Sequence, residues 1–290
     1  MSVTTLRFDL RRVRRVASRH KLGMAGLVIL LLTTAIAVLA PRVAPYPPAQ
    51  VHLVDRLLPP LAAGSTTSLH LLGTDQLGRD VLSRLVYGAR VSLIISSATV
   101  VVAGCIGFTA GISAGYWGGP WDLVIMRIID LQLAFPFMLL ALAIVSLLGP
   151  SVANLIVVFV VTSWPVYART ARASVLVIRS QEYVEAARSL GARAPRIFLR
   201  YIVPNIVAPV AVVASFQMAQ VIIVEAALGF LGLGVPPPTA TWGNMLADGR
   251  VDIQGAWWLS LFPGLAITLV AAGVNFVGDA VRDAMDPRLR

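Results

Sequence analysis

The 290-residue sequence has one lysine, one cysteine and three histidines, and only 13% of it is charged. Each scarcity closes a class of function. The lone Cys105 allows neither an intrachain disulfide nor a cysteine metal site. His20, His52 and His70 lack ligand spacing, so no metal is expected. A phosphate-binding loop needs G-x-x-x-x-G-K-[ST], and Lys21 sits in Arg19-His20-Lys21-Leu22-Gly23. The chain therefore has no such ATP site, and any ATP-driven work it does must be powered by another polypeptide. The apolar portions hold neither a His cluster nor a nucleophile–base pair, so the chain is not read as an enzyme.

The shortage of charge also excludes a soluble fold of this size. With 57% hydrophobic residues and a mean hydropathy of +0.80, there is too little polar surface to cover it. A helix needs about 20 apolar residues to cross about 30 Å of hydrocarbon. Stretches of that kind lie near 22–40, 90–114, 131–149, 152–168, 206–228 and 257–278. The expectation is an all-α polytopic membrane protein with six transmembrane helices.

Arginine orients them, because cytoplasmic loops accumulate basic residues. Arg7, Arg11, Arg12, Arg14, Arg15, Arg19 and Lys21 form a basic tail, 1–21, ahead of the first span. Six crossings return the C-terminus to that side and place Arg169, Arg172, Arg179, Arg188, Arg193, Arg196 and Arg200 there too. Both termini are expected in the cytoplasm. Topology and anionic lipid then account for much of the formal +10 charge, leaving little for a nucleic-acid partner to explain.

The first span, 22–40, is longer than a signal-peptide core and Pro41 follows directly, so it is read as an uncleaved anchor. The segment 41–87 is expected outside, with Pro41, Pro45, Pro47, Pro48 and Pro59 opposing long helix. The remainder, 88–290, is one block of five spans. Gly107, Gly111 and Gly115 recur every fourth residue and are read as a close-packing stripe. Trp117, Trp121, Trp257 and Trp258 suit the membrane interface. The Gly- and Pro-rich run 228–246 breaks the helix, as a re-entrant element or as a rigid connecting loop. Glu225 is the isolated acid of the fifth span, with a translocation-path role and a structural role both open.

The segment 169–205 is the most legible. Tyr183, Ala186, Ala187 and Leu190 fall at i, i+3, i+4 and i+7, one face of a short helix, and Gly191 suits a left-handed stop. Pro195 suits a second helical start; Phe198, Leu199 and Ile202 give it an apolar face and Pro204 closes it. Such a helix fits a groove on a partner protein or the lipid surface.

Glu185-Ala186-Ala187, three residues, Gly191 and then an ending at Tyr201-Ile202-Val203-Pro204 resemble the EAA loop of ATP-binding cassette (ABC) importer permeases. The stretch Gly73-Thr74-Asp75-x-x-Gly78-Arg79-Asp80-x-x-Ser83-Arg84, the run Phe230-Leu231-Gly232-Leu233-Gly234 with Trp242-Gly243-Asn244-Met245, and the ending Gly278-Asp279-x-x-Arg282-Asp283-x-x-Asp286-Pro287-Arg288 are similar to the C-type permease subunit of dipeptide and oligopeptide importers. The resemblance implies a MetI-like permease bundle with an extra N-terminal helix in a bacterial inner membrane. It further implies a B-type permease as heterodimer partner, two ATPase subunits or domains carrying the ATP and Mg, and an extracytoplasmic peptide-binding protein. It makes Tyr183, Glu185, Ala186, Ala187, Leu190, Gly191, Phe198 and Pro204 the ATPase-coupling candidates. Glu225 and Gly229 remain the translocation-path candidates. Gly73, Thr74, Asp75, Gly78, Arg79 and Asp80 form an external motif without an assigned role. A nickel importer subunit is the alternative within the group; an ATP-independent channel or a secondary transporter is the alternative outside it.

Overall fold

The computed structural model describes residues 21–65 and 69–285; the tail before Lys21, Ser68 and the Asp286-Pro287-Arg288 ending lie outside the described residues. The first span is helix α1, Lys21–Val38. A single helical turn, Ala40–Val43, and a 3-10 turn, Leu53–Asp55, lead to a minimal hairpin of β1, Ala62–Ala63, and β2, Leu69–His70, with Ala62 opposite His70. The prolines thus leave only short pieces of helix in this segment, each ring removing a donor.

Helix α2, Val81–Trp117, begins well before the expected 90, so a division at 87/88 falls inside a continuous helix. Asp80 caps it, accepting from the Ser83 N–H at 2.7 Å. Gly118, at φ +66°, ends it. Helix α3, Gly119–Leu133, and helix α4, Phe137–Leu148, follow. Helix α5, Val152–Arg179, starts at a Ser151 cap. Helix α6 is Glu182–Ser189. A turn of helix, Ala194–Ile197, and a π-turn, Phe198–Ile202, run into helix α7, Val203–Phe230. Helices α8, Trp242–Gly249, and α9, Trp258–Met285, complete the chain.

The glycine stripe packs α2 against α5. A Cβ on Gly107 would meet the backbone of Trp164 and Ala168, one on Gly111 the Ala168 carbonyl, and one on Gly115 the Val175 side chain at 2.8 Å. The helix axes can approach closely only because these side chains are missing. Partners advance along both helices together, so α2 and α5 run parallel. The chain between them must therefore return across the membrane.

That return corrects the third expected span. The apolar run 131–149 is not one helix: α3 and α4 meet at an angle of 89°. Pro136 is the cause, since it cannot donate to a helix and disfavours α geometry at Phe135. Helix α4 has 12 residues, about 18 Å at 1.5 Å per residue, too short to span by itself. The bent pair makes the crossing jointly, giving five continuous spans and six crossings among the described residues.

Helices α1 and α9 run antiparallel. Gly26 abuts Gly273 and Val277, while Ala37 joins the cluster of Trp258 and Leu259. Lys21 and Met285 therefore lie at one end of the bundle, here the loop end, with Trp117 and α6. The hairpin and α8 occupy the opposite, hairpin end.

The tryptophans divide. Trp117, Trp121 and Trp257 are exposed, whereas Trp258 is buried and donates to the Thr74 carbonyl at 3.1 Å. Trp258 is thus a clamp on the hairpin end rather than an interfacial anchor. Two basic residues of α5 also have specific partners: Arg172 binds both carboxylate oxygens of Asp122, and Arg179 donates to the Gly115 carbonyl at 2.9 Å, satisfying the end of α2.

Candidate functional site

At the hairpin end, residues 73–84 form a buried polar knot. Gly73 and Gly78 take positive φ, +82° and +72°, and side chains there would strike the Leu58 and His52 backbone. The tight turn aims Asp75 inward. Its Oδ1 accepts the backbone N–H groups of Leu77 and Arg79, both at 2.9 Å. Its Oδ2 accepts Arg79 Nε at 2.7 Å and also Arg84 Nη1. Four donors satisfy one buried carboxylate. Thr74 Oγ1 donates to the Asp55 carbonyl and accepts from the Leu58 N–H at 2.9 Å. Asp80 faces His70 Nδ1 at 2.9 Å while capping α2.

The knot reaches across to α8. Asp248 accepts from Arg84 Nη2 at 3.1 Å and from Arg79 Nη2 at 3.3 Å, and Gln76 donates to the Asp248 carbonyl and to Asp252, both at 2.7 Å. Arg84 was legible as part of the external motif. Asp248 and Gln76 were not, because their role depends on contacts 164 or more residues apart in sequence. The six residues of the external motif thus come together as one structural unit.

Beside this knot lies a cavity of about 460 Å³. Arg79, Arg84 and Asp248 contribute to its lining, together with Gly232, Gly234 and Pro236–Pro238. The chain reaches it through a left-handed helix stop: Gly232 has φ +80° and Leu233 donates back to the Leu228 carbonyl at 2.8 Å. Gly229 also lines the cavity, and a Cβ there would meet Gly243 Cα of α8 at 2.9 Å, so only a glycine lets α8 pack this closely. Within the broken run 228–246, Trp242 and Met245 are buried against α7 and α9, while Leu231, Gly232 and 236–239 are exposed.

Glu225 is elsewhere. It is 1% exposed between α2 and α7, where Ser92 Oγ donates to Oε2 at 3.0 Å and, among the described residues, Oε1 has no partner. It does not line the cavity. The two path candidates thus occupy different surroundings.

At the loop end, α6 stands on one buried side chain. Val184 packs with Ile197, Ile202 and Val175, whereas Tyr183, Glu185 and Ala186 are exposed, Ala187 is half-buried and Leu190 is 88% exposed. The apolar periodicity identified the uncovered face; it missed Val184, one position off the pattern. Gly191 has φ +80°, and Ala192 donates back to the Ala187 carbonyl at 3.0 Å, the expected left-handed stop. A Cβ at Gly191 would meet nothing within 4 Å, so only the backbone restricts that position.

The second half of the loop differs from the expectation of a separate short helix closed by Pro204. Pro204 lies in the first turn of α7, and 194–230 is one helical path interrupted by the π-turn. Proline cannot donate to the carbonyl four residues back and its ring crowds it, so the preceding turn widens. Asn205 Nδ2 donates to the Tyr201 carbonyl at 2.6 Å in that widened turn. Phe198 packs edge-on against Tyr116 at 5.1 Å and is half-buried, fixing the loop to α2.

These features define a polytopic helical subunit with a presented loop at one end and a knotted, cavity-bearing cap at the other. The family model of binding-protein-dependent transport system inner membrane components matches residues 107–290, and that of the N-terminal TM domain of oligopeptide transport permease C matches 10–60. The chain is 42% identical over 273 residues to the di/tripeptide transport system permease protein DppC of Pseudomonas aeruginosa strain UCBPP-PA14, covering 94% of this chain and 90% of that one. It is 45% identical over 272 residues to the dipeptide transport system permease protein DppC of Escherichia coli K12, covering 94% and 91%. Among solved structures, the MetNI methionine ABC transporter in inward-facing conformations matches with a TM-score of 0.55 at 21% identity, over 70% of this chain and 96% of that chain. That last likeness is one of fold. The chain belongs to the family of binding-protein-dependent transport system inner membrane components, as a multi-pass inner-membrane permease.

Proposed function

We propose that this chain forms half of the transmembrane pathway of an ATP-driven importer of dipeptides and oligopeptides, and that it couples to ATPase subunits through the loop 169–205. The observation that carries the coupling role is the uncovered face of α6, on which Leu190 is 88% exposed while Val184 beneath it is buried. A lipid-surface helix would turn basic residues and apolar residues to opposite sides over more length; α6 has eight residues and its exposed face is small, as a groove-docking helix requires. In this reading the loop end is cytoplasmic, a B-type permease supplies the other half of the pathway, two ATPase subunits or domains carry ATP and Mg, and an extracytoplasmic binding protein delivers the peptide. The peptide cargo is supported by the relatives of 42–45% identity, named for dipeptides or di/tripeptides. Nothing comparable favours nickel. Membership in a binding-protein-dependent family also disfavours an ATP-independent channel or secondary transporter.

Orientation is tested with single cysteines at Val54, 83% exposed, and Ser180, in a Cys105→Ser background. An impermeant thiol reagent on spheroplasts is expected to label Val54→Cys and spare Ser180→Cys. The reverse pattern would overturn the orientation and with it the ATPase dock. Deleting this subunit is expected to abolish uptake of short peptides and leave nickel-dependent enzymes active; the opposite phenotype would transfer the cargo to nickel.

A further inference from the structure

We propose that the cavity at the hairpin end is a transit subsite that holds a short peptide by its two charged termini, its carboxylate toward Arg79 and Arg84 and its ammonium toward Asp248. The proposal rests on the peptide-import reading and gives that cargo a place on this chain.

The charge arithmetic selects the ligand. Asp75 is saturated by four donors and balances one guanidinium. The second is balanced by Asp248, whose contacts are longer, 3.1 and 3.3 Å, and whose side chain is 35% exposed. Two cations and two anions leave the quartet neutral, so it is poorly matched to a polyanion or to a simple cation. It complements a ligand carrying both signs a short distance apart. An unblocked short peptide is such a ligand, and an incoming carboxylate can share the outer edge of the Arg pair as Asp248 turns to the ammonium.

The Gly- and Pro-rich part of the lining fits the same ligand. Gly232, Gly234 and Pro236–Pro238 present backbone and proline rings, and only small or apolar side chains such as Leu77, Val235 and Ala247 and the polar Thr239 and Asn244 accompany them, so little of this part of the lining reads a particular peptide side chain. A site built this way reads termini and tolerates sequence. The volume, about 460 Å³, lies within the 300–1,000 Å³ of small-molecule sites. The cavity is also where the external motif, 73–84, meets the broken run 228–246.

Thr239, exposed on the cavity rim, provides the reporter. Thr239→Cys in a Cys105→Ser background is labelled with a maleimide in the assembled complex in nanodiscs, without binding protein. A free dipeptide at millimolar concentration is expected to slow labelling about threefold or more, and the same dipeptide with N-acetyl and C-amide blocks is expected to have no effect. Asp248→Asn should remove the distinction between free and N-acetylated peptide. Arg79→Gln should remove that between free acid and amide. Equal effects of free and doubly blocked peptide, or none from either, would overturn the subsite. Protection by peptide-free binding protein alone would overturn it too, making the cavity a docking surface. Transport of the dipeptide by the same complex, with binding protein and ATP, is measured in parallel. Intact transport without protection sinks the subsite and leaves the import reading standing; failed dipeptide transport by the wild-type complex sinks the import reading itself.

Discussion

The two ends of this bundle are held by opposite means. At the hairpin end, 73–84 and α8 are joined by buried charges whose partners are all accounted for, with Asp75 taking four donors and Trp258 bonding to Thr74. At the loop end, α6 keeps one buried residue, Val184, and presents Tyr183, Ala186 and Leu190 to its surroundings. In such a knot, removing one member of an ion pair leaves the other's charge unpaired. A helix resting on one side chain has a face to spare. The same chain is thus closed by its own side chains at one end and leaves an uncovered helix face at the other.

The comparison breaks most severely at Asp75. Asp75→Asn leaves two buried guanidiniums facing one half-exposed acid, a loss of about 3–5 kcal/mol for a broken buried pair. The purified subunit should lose its folded, monodisperse form at a markedly lower temperature. Arg84→Met should behave similarly, and a wild-type melting profile in both would mean that the knot is ornamental.

Next in size is the loop end, where the defect should be functional rather than structural. Leu190→Asp and Ala186→Trp change exposed positions, so insertion and melting should be unaltered. ATPase retention and stimulated turnover in vesicles should fall about tenfold or more, the measure of an interface hot spot of about 1.4 kcal/mol or above. Gly191→Val should share this defect, because a β-branched residue resists φ +80°. Gly191→Asn should largely spare it, since asparagine tolerates that region. Equal activity of the valine and asparagine variants would remove the backbone argument.

A smaller effect is expected at the π-turn. Pro204→Ala restores a donor to the Arg200 carbonyl and should let the widened turn relax, rotating the loop relative to α7. ATPase binding should persist while transport per ATP hydrolysed drops severalfold, at most about 1 kcal/mol of misalignment. Transport and hydrolysis falling in step would show that the π-turn sets docking instead.

These contrasts also show where the sequence was readable. Five spans followed from apolar length, because burial in lipid imposes a composition that windows detect. The α3–α4 bend was not readable as an 89° angle, since Pro136 signals a break without its direction. The early start of α2 was not readable from apolar length, because Arg84 and Arg90 interrupt the apolar run there. Arg84 is tolerated because Asp75 and Asp248 neutralise it, and Asp248 is 164 residues away. Trp258 looked interfacial for the same reason: its partner, the Thr74 carbonyl, is contributed by distant chain. The face of α6 was legible from local spacing alone, as an exposed helix is governed by its own residues. Its anchor Val184 was not, because the residues that bury it come from α5 and the π-turn.

The smallest expected effect lies at the edge of the hairpin end and gives the comparison a dependence on pH. Asp55 accepts the Ser65 backbone N–H at 2.7 Å and the Ser65 hydroxyl at 3.1 Å. The backbone bond is the chief cause that holds its carboxyl below the ordinary carboxylate range. A depressed value means that the charged form is favoured by the fold. Its contribution is complete above the unfolded value, about 3.9, and is lost as pH falls through the lower folded value. The hairpin should therefore loosen only in acid below that point, read as a falling exchange-protection factor at the Ser65 amide. Asp55→Asn should have weaker protection at neutral pH and no acid transition. The Ala192 amide, held by the Ala187 carbonyl through a bond with no titrating partner, should keep its protection across the same range. An equal acid loss at both amides would mean that global unfolding, rather than Asp55, sets the response.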